Sequence, residues 1–301
     1  MNSASLKFIA DNEYFSHYLS VDSKLSSKRL PTAESLGVLS GKVISKAVQG
    51  YGFACYLSEG RVYCAGQNAS GQLGNGTQAI SDTPVEIDMT GALKGLSITD
   101  ISAGYAHSCV IASGKVFCWG SNSQGQLGVS DVRDSSNGFK TIASLSPVAV
   151  DTTGVFTRDM AVQYLTTSMY STCIVAAGQP YCWGSFVDGF HKNSNSYGKP
   201  LPLAEYGELA GKKVAKIAIP RFQTYNYEQS TICAVTVDGE GFCWGNPTHN
   251  GGNSKVATPT KIDISEIGVR RITEIEVGNK MDGIIDANSH GHTGHKNSYH
   301  V

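Results

Sequence analysis

Apolar-rich runs broken by X-Gly pairs recur along the chain, and the clearest lies between Ile98 and Gly128. Ser113-Gly114 separates two such runs there, a pair that predicts a two-residue hairpin turn. Counting outward from the turn, Ala112 meets Lys115, Ile111 meets Val116, Val110 meets Phe117 and Cys109 meets Cys118. Pairs alternate along an antiparallel ladder, so the cysteine pair is non-hydrogen-bonded, with Cα atoms about 4.5 Å apart and within reach of a disulfide. The pattern returns as Cys55 with Cys64 around Glu59-Gly60, and as Cys173 with Cys182 around Ala177-Gly178. Cys233 and Cys243 stand one residue further apart around Asp238-Gly239-Glu240, which predicts a bulged or longer turn. These pairs use all eight cysteines. Four independent pairings at cross-strand register argue for disulfides over buried thiols.

Aligned on the first cysteine, repeats begin near Val43, Ser97, Met160, Lys213 and Arg271. Each opens with a short apolar strand, followed in the first, second and fifth by a glycine (Gly50, Gly104, Gly278), and the hairpin comes next. Then come Trp119-Gly120, Trp183-Gly184 and Trp244-Gly245, with Ala65-Gly66 in the first repeat. A polar loop follows, carrying Gly-Gln-Leu-Gly at 71–74 and 125–128, and a fourth strand follows Pro84 or Pro147, with less regular versions after Pro200 and Pro259. Four strands per repeat of roughly 50 to 64 residues predict an all-β, five-unit β-propeller of four-stranded blades. Tryptophans at one repeat position read as blade packing rather than as a ligand cage.

These repeats resemble that of the regulator of chromosome condensation family, H-S/T-x-A-L-x-x-D-G-x-V-Y-x-W-G-x-N-x-x-G-Q-L-G. His107, Gly114, Val116, Trp119, Gly120, Asn122, Gly125, Gln126, Leu127 and Gly128 carry the fullest match. The first repeat keeps Gly60, Val62, Tyr63, Gly66, Asn68, Gly71, Gln72, Leu73 and Gly74, while the third and fourth keep the hairpin and Trp-Gly. The cysteine-bearing form resembles the secreted bacterial branch more than the nuclear exchange factor, and secreted propeller inhibitors of β-lactamases belong to the same broad family. Familiar members commonly have seven blades. Here the fifth repeat has Gly283 in place of a cysteine and no Cys-Trp-Gly, while residues 6–10 resemble 114–118 with Ala10 at the cysteine position. The expectation is that the N-terminal strand pairs with residues 283–287 and closes the ring. Tyr14, Phe15, Tyr18 and Leu19 have helix-like spacing and predict a short helix on the rim. The domains expected are therefore a closing strand, helix and linker over 1–41, propeller repeats over 42–289 and a His-rich tail over 290–301.

Lys plus Arg number 24 against 25 Asp plus Glu, so no global positive field favours nucleic acid. Four disulfides imply an extracellular or cell-surface location. The opening Met-Asn-Ser-Ala-Ser-Leu-Lys lacks a basic segment followed by an apolar one, and no stretch approaches a membrane span, so the chain reads as a mature region or a fragment. No catalytic motif is present, and the reading is of a non-enzyme without cofactor. His107, Ser108 and Cys109 do not form a nucleophilic site, because Phe53, Ser171 and Thr231 replace the histidine elsewhere and Cys109 has a partner. Ala47, Val48, Ile101, Ile217 and Ile275 are expected to line the innermost strands with apolar groups. His290, His292, His295 and His300 could bind a divalent metal, but without acidic or cysteine ligands they read as a disordered tail, and no metal is assigned. Asn68-Ala69-Ser70 and Asn75-Gly76-Thr77 fit the glycosylation pattern, which would carry little weight in a bacterial protein.

In a four-stranded meander, the first-to-second and third-to-fourth loops emerge at one end of the blade. The long loops are of this kind: 221–232 with Arg221, Phe222, Tyr225 and Tyr227, 185–199 with Phe186, Phe190, His191 and Tyr197, and 129–145. Aromatic residues and Arg on such loops are expected to bind a partner, either another protein or a surface glycan. The expected function is an extracellular protein-binding module for adhesion or recognition. The alternatives are a secreted enzyme inhibitor, a glycan-binding propeller and the head of a pilin-like appendage subunit.

Overall fold

The computed structural model describes residues 7–11, 16–19, 25–27, 37–129, 133–134, 138–139, 143–155, 160–185, 197–203, 207–219, 231–245, 256–263, 271–277, 282–286, 291–295 and 298–300, the strands nearest the termini by their backbone. They fall into two compact parts, 1–151 and 152–301.

The first part opens with a three-stranded antiparallel sheet of β1 (Lys7–Asp11), β2 (Ser16–Leu19) and β3 (Leu25–Ser27). The first repeat forms the sheet β4 (Lys46–Gln49), β5 (Phe53–Ser58), β6 (Arg61–Gly66) and β7 (Ser81–Glu86). In the second repeat β8 (Ile98–Ala103), β9 (His107–Ala112) and β10 (Lys115–Ser121) are followed by a two-stranded ladder of β11 (Arg133–Asp134) and β12 (Gly138–Phe139), then by the fourth strand β13 (Ala143–Ala149).

The second part holds three sheets. They are β14 (Val162–Thr167) to β17 (Tyr197–Pro202) with β15 (Ser171–Ala176) and β16 (Gln179–Gly184), and β18 (Val214–Ala218) to β21 (Val256–Lys261) with β19 (Thr231–Thr236) and β20 (Gly241–Gly245). The third is β22 (Ile272–Val277), β23 (Asp282–Asp286), β24 (Gly291–His295) and β25 (Ser298–His300). All are antiparallel meanders, so each of the five repeats forms a four-stranded sheet.

The hairpins follow the register counted from the turn. Glu59, Ser113 and Ala177 have φ of 53°, 50° and 52°, each followed by a glycine at positive φ, as a two-residue primed turn requires. Cys55 faces Cys64, Cys109 faces Cys118, Cys173 faces Cys182 and Cys233 faces Cys243, and all four pairs are disulfides with Cα atoms 4.1 Å apart. The longer fourth turn closes with Gly239 at φ 83°, with Thr236 N donating to Glu240 O and Gly239 N to Thr236 O, each at 2.9 Å.

Each fourth strand begins before the proline that signals it. Register shifts where the third strand passes from the second cysteine to the glycine two residues on: Cys64 faces Val85 but Gly66 faces Ser81, and Cys118 faces Val148 but Gly120 faces Ser144. The same shift separates Leu201 from Tyr197 and Thr260 from Val256. Pro84, Pro147, Pro200 and Pro259 all sit in this bulge on an outer strand, where a missing N–H breaks no ladder.

β5, β9 and β15 are buried along their whole length, as expected of strands covered on both faces. A connector unrecognised in the sequence supports this packing. Gly-x-Leu-x-Gly occurs at 37–41, 91–95 and 207–211, and Leu39, Leu93 and Leu209 are each 0% exposed. In each, the residue three after the leucine donates to its carbonyl at 3.0–3.1 Å, so one tight turn drives a leucine into the core before the next first strand.

Three expectations are corrected. Residues 7–11 do not pair with 283–287. β1 pairs with β2, and β23 is flanked by β22 and β24. β1 is a first strand, because its register shifts between Phe8 and Ala10 as the first-to-second strand registers shift at Ile98/Asp100, Val162/Tyr164, Val214/Lys216 and Ile272/Glu274. Apolar alternation is alike in a first and a third strand, and the nearest partner along the chain closes the shorter loop. The helix expected around Tyr18 and Leu19 is strand β2, hydrogen-bonded on both sides, a gain that a helix of one or two turns lacks. Residues 291–295 and 298–300 of the expected disordered tail are paired strands.

Candidate interaction face

Backbone hydrogen bonds distinguish the two ends of the sheets. At one end, the turn between second and third strands accepts from the start of the following first strand: Ile98 N to Gly60 O at 2.9 Å, Val214 N to Gly178 O at 2.8 Å and Ile272 N to Gly239 O at 2.9 Å. These turns are short and closed by their neighbours.

The other end carries the loops. The residue after the third-strand glycine donates to the first-to-second loop of its own repeat: Gln67 N to Gly52 O and Ser121 N to Ala106 O at 2.8 Å, and Ser185 N to Tyr170 O at 2.9 Å. This contact explains the third-strand glycines Gly66 and Gly120. A Cβ at Gly66 would stand 2.3 Å from Gly52 O, and one at Gly120 2.4 Å from Ala106 O. The two classes of loop therefore meet at one end in each of these repeats.

In repeats one and two the third-to-fourth loop is built by its own motif. Asn68 Oδ1 accepts from Leu73 N and Asn122 Oδ1 from Leu127 N, both at 2.9 Å. Gln72 Oε1 accepts from Ser70 N at 2.9 Å and Gln126 Oε1 from Gln124 N at 2.8 Å, while Leu73 and Leu127 are fully buried. A compact loop of this kind offers little surface. Repeats three and four lack the motif, and there the sequence places the loops that carry Phe186, Phe190, Phe222, Tyr225 and Tyr227.

Phe186, Phe190, His191, Arg221, Phe222, Tyr225 and Tyr227 lie outside the described residues. Tyr197 opens β17, its backbone paired with Gly184. The ladder of β11 and β12 lies within the long loop of repeat two.

The first part carries two aromatics the sequence reading passed over. Tyr51 and Tyr105, each directly after the repeat glycine, stack with ring centroids 4.5 Å apart and planes 12° from parallel. Tyr51 N donates to Tyr105 O at 3.0 Å, and Tyr51 is 47% exposed. Recurrence of tyrosine at one repeat position was the available signal. An exposed ring at a loop differs from the tryptophans, which are buried.

The innermost strands are not purely apolar. Ile101 and Ile217 are fully buried, but Lys46, Asp100, Tyr164, Lys216 and Glu274 occupy one equivalent register position, two before the residue facing the first cysteine or its replacement. Lys46 pairs with Asp100 at 2.6 Å and Lys216 with Glu274, each across neighbouring repeats. These charges neutralise one another between sheets and form no acid–base set. Among the described residues, no group of three or more His, Cys, Asp and Glu could hold a metal ion, and no helix is long and apolar enough to cross a membrane.

Antiparallel four-stranded sheets in series, with neighbouring first strands side by side within each part, define a β-propeller repeat protein. Residues 59–111 and 113–161 match the Regulator of chromosome condensation (RCC1) repeat, with a further match to such a repeat over 98–126, so this third of the chain carries repeats of that type. It is similar to human E3 ubiquitin-protein ligase HERC2, 28% identical over 211 residues, a stretch that is 68% of this chain and 4% of HERC2. The crystal structure of human WBSCR16 aligns with a TM-score of 0.65 at 25% identity, over 84% of this chain and 62% of that one. Yeast RCC1 (Prp20), in its complex with Kap60, aligns with a TM-score of 0.67 at 16% identity, over 95% of this chain and 68% of that one.

Proposed function

We propose that this chain is an extracellular or cell-surface protein-binding module, active in adhesion or recognition, that engages its partner through the loop-bearing ends of its sheets. The observation that carries the reading is the bonding of third-strand exits to first-to-second loops, with compact turns at the other end. Long aromatic loops springing from that end have a rigid base, and rigid scaffolds with mobile-capable loops commonly carry recognition. The four disulfides favour an oxidising compartment. Phe186, Phe190, His191, Tyr197, Arg221, Phe222, Tyr225 and Tyr227 are the proposed contact residues. Inhibition of a secreted enzyme and a role as the head of a pilin-like subunit are narrower forms of the same reading.

Protein binding by Prp20 supports a protein partner. Ligase activity is named for HERC2, of which the matched stretch is 4%, and is not proposed for this chain. The half-exposed Tyr51 ring favours a second reading, in which the face stacks on sugar rings of a surface glycan.

The test is capture of surface proteins by the wild-type chain and by a Phe222→Ala, Tyr225→Ala, Tyr227→Ala variant. Loss of a captured protein with an unchanged melting temperature supports the proposal, and equal capture by both removes it. A glycan array read with wild type and Tyr51→Ala separates the second reading.

A further inference from the structure

Two asparagines of this chain stand in Asn-X-Ser/Thr triplets with X other than proline, Asn68 and Asn75, and the fold treats them oppositely. Asn68 is 1% exposed. Its Nδ2 donates to Thr77 O at 3.0 Å and Ala79 O at 2.9 Å, while its Oδ1 accepts from Leu73 N at 2.9 Å. A sugar on that nitrogen would remove a donor from a fully satisfied buried amide and could not be housed in the closed loop.

Asn75 lies seven residues on, half-buried in the same loop, between the buried Gly74 and the exposed Gly76. Thr77 donates to Asn75 Oδ1 twice, through its hydroxyl at 2.9 Å and its main-chain N–H at 3.3 Å. The triplet is thereby folded on itself, with its hydroxyl on the acceptor amide. Among the described residues no hydrogen bond engages Asn75 Nδ2, and Gly76 is held in place by its N–H donating to Leu145 O at 2.9 Å.

From this contrast we infer that Asn75 is an N-glycan acceptor and that Asn68 is not, whenever the chain folds in a compartment supplying a lipid-diphosphate-linked oligosaccharide. In the transfer, a bond forms between Asn75 Nδ2 and the anomeric carbon. The bond from that carbon to the diphosphate oxygen breaks, the lipid diphosphate leaves, and Nδ2 releases one proton. The Thr77 hydroxyl polarises the amide through Oδ1. The modification is independent of what the loop-bearing face binds.

The test is secretion of the chain from a eukaryotic host behind an added leader, followed by intact mass and peptide mapping before and after glycoamidase digestion in heavy-oxygen water. The expected result is one glycan, with label at Asn75 alone. Asn75→Gln and Thr77→Val should lose it, while Thr77→Ser should keep it, and all should retain four disulfides. An unmodified wild-type chain, or a glycan on Asn68 of correctly bridged protein, would overturn the inference. Wild-type mapping decides even if a variant is not secreted.

Discussion

The indole Nε1 of Trp119 donates to the main-chain oxygen of Gln72 at 2.9 Å, tying the third strand of one repeat to the loop of the repeat before it. Both groups are buried, and Gly74 lies so close that a Cβ there would be 2.6 Å from the same nitrogen. Trp244 holds the equivalent position in the fourth repeat, where the preceding repeat lacks the Gln-Leu-Gly loop, and its Nε1 has no hydrogen-bond partner among the described residues. Trp119→Phe leaves a buried carbonyl unpaired and should cost about 2–3 kcal/mol, whereas Trp244→Phe, which removes no bond to a described residue, should cost less. Calorimetric melting of the two variants checks the order.

The disulfides should bridge each hairpin internally. Peptide mapping without reduction is expected to find Cys55–Cys64, Cys109–Cys118, Cys173–Cys182 and Cys233–Cys243 only. Replacing both Cys109 and Cys118 by alanine should destabilise by about 2–3 kcal/mol in the chain-entropy account, less if the hairpin persists in the unfolded chain. Any link between repeats would contradict the register.

Leu39, Leu93 and Leu209 carry the connector packing. Alanine at any one opens a cavity in a site with no exposure, and a loss of about 2–5 kcal/mol is expected from denaturant titration. The neighbouring exposed Val38, at 52% exposure, should tolerate alanine with almost no change.

Hydrogen bonds from Lys212 and then Lys261 hold the Glu240 carboxylate below its usual range. A carboxylate lowered on folding stabilises above its unfolded value, and the contribution disappears as pH falls through the folded value. Glu240→Gln should therefore lower stability at neutral pH by no more than about 1 kcal/mol, since the pair is partly exposed. As pH falls below that folded value the variant and wild type should converge. Denaturant titrations at several pH values read this directly, and a gap that widens on acidification would reverse the sign.

Much of this structure could be read from local chemistry. Ser113-Gly114 sets the hairpin because both turn positions need positive φ, and counting from it places Cys109 opposite Cys118 without knowledge of any distant residue. The tryptophans and the Asn-x-x-Gly-Gln-Leu-Gly loops were legible because their interactions lie within one repeat or recur between adjacent ones. The partner of residues 7–11 was not legible. An apolar strand carries no mark of which neighbour it joins, and only the bulge between Phe8 and Ala10 identifies β1 as a first strand. The Lys46–Asp100 pair was equally hidden, since those residues are far apart in the chain and meet only when inner strands stand side by side. The two glycosylation triplets are alike as sequence. Tertiary structure alone separates them, because burial and the bonds of Asn68 to Thr77 and Ala79 depend on how the loop closes, whereas Asn75 is only half-buried and borders the exposed Gly76.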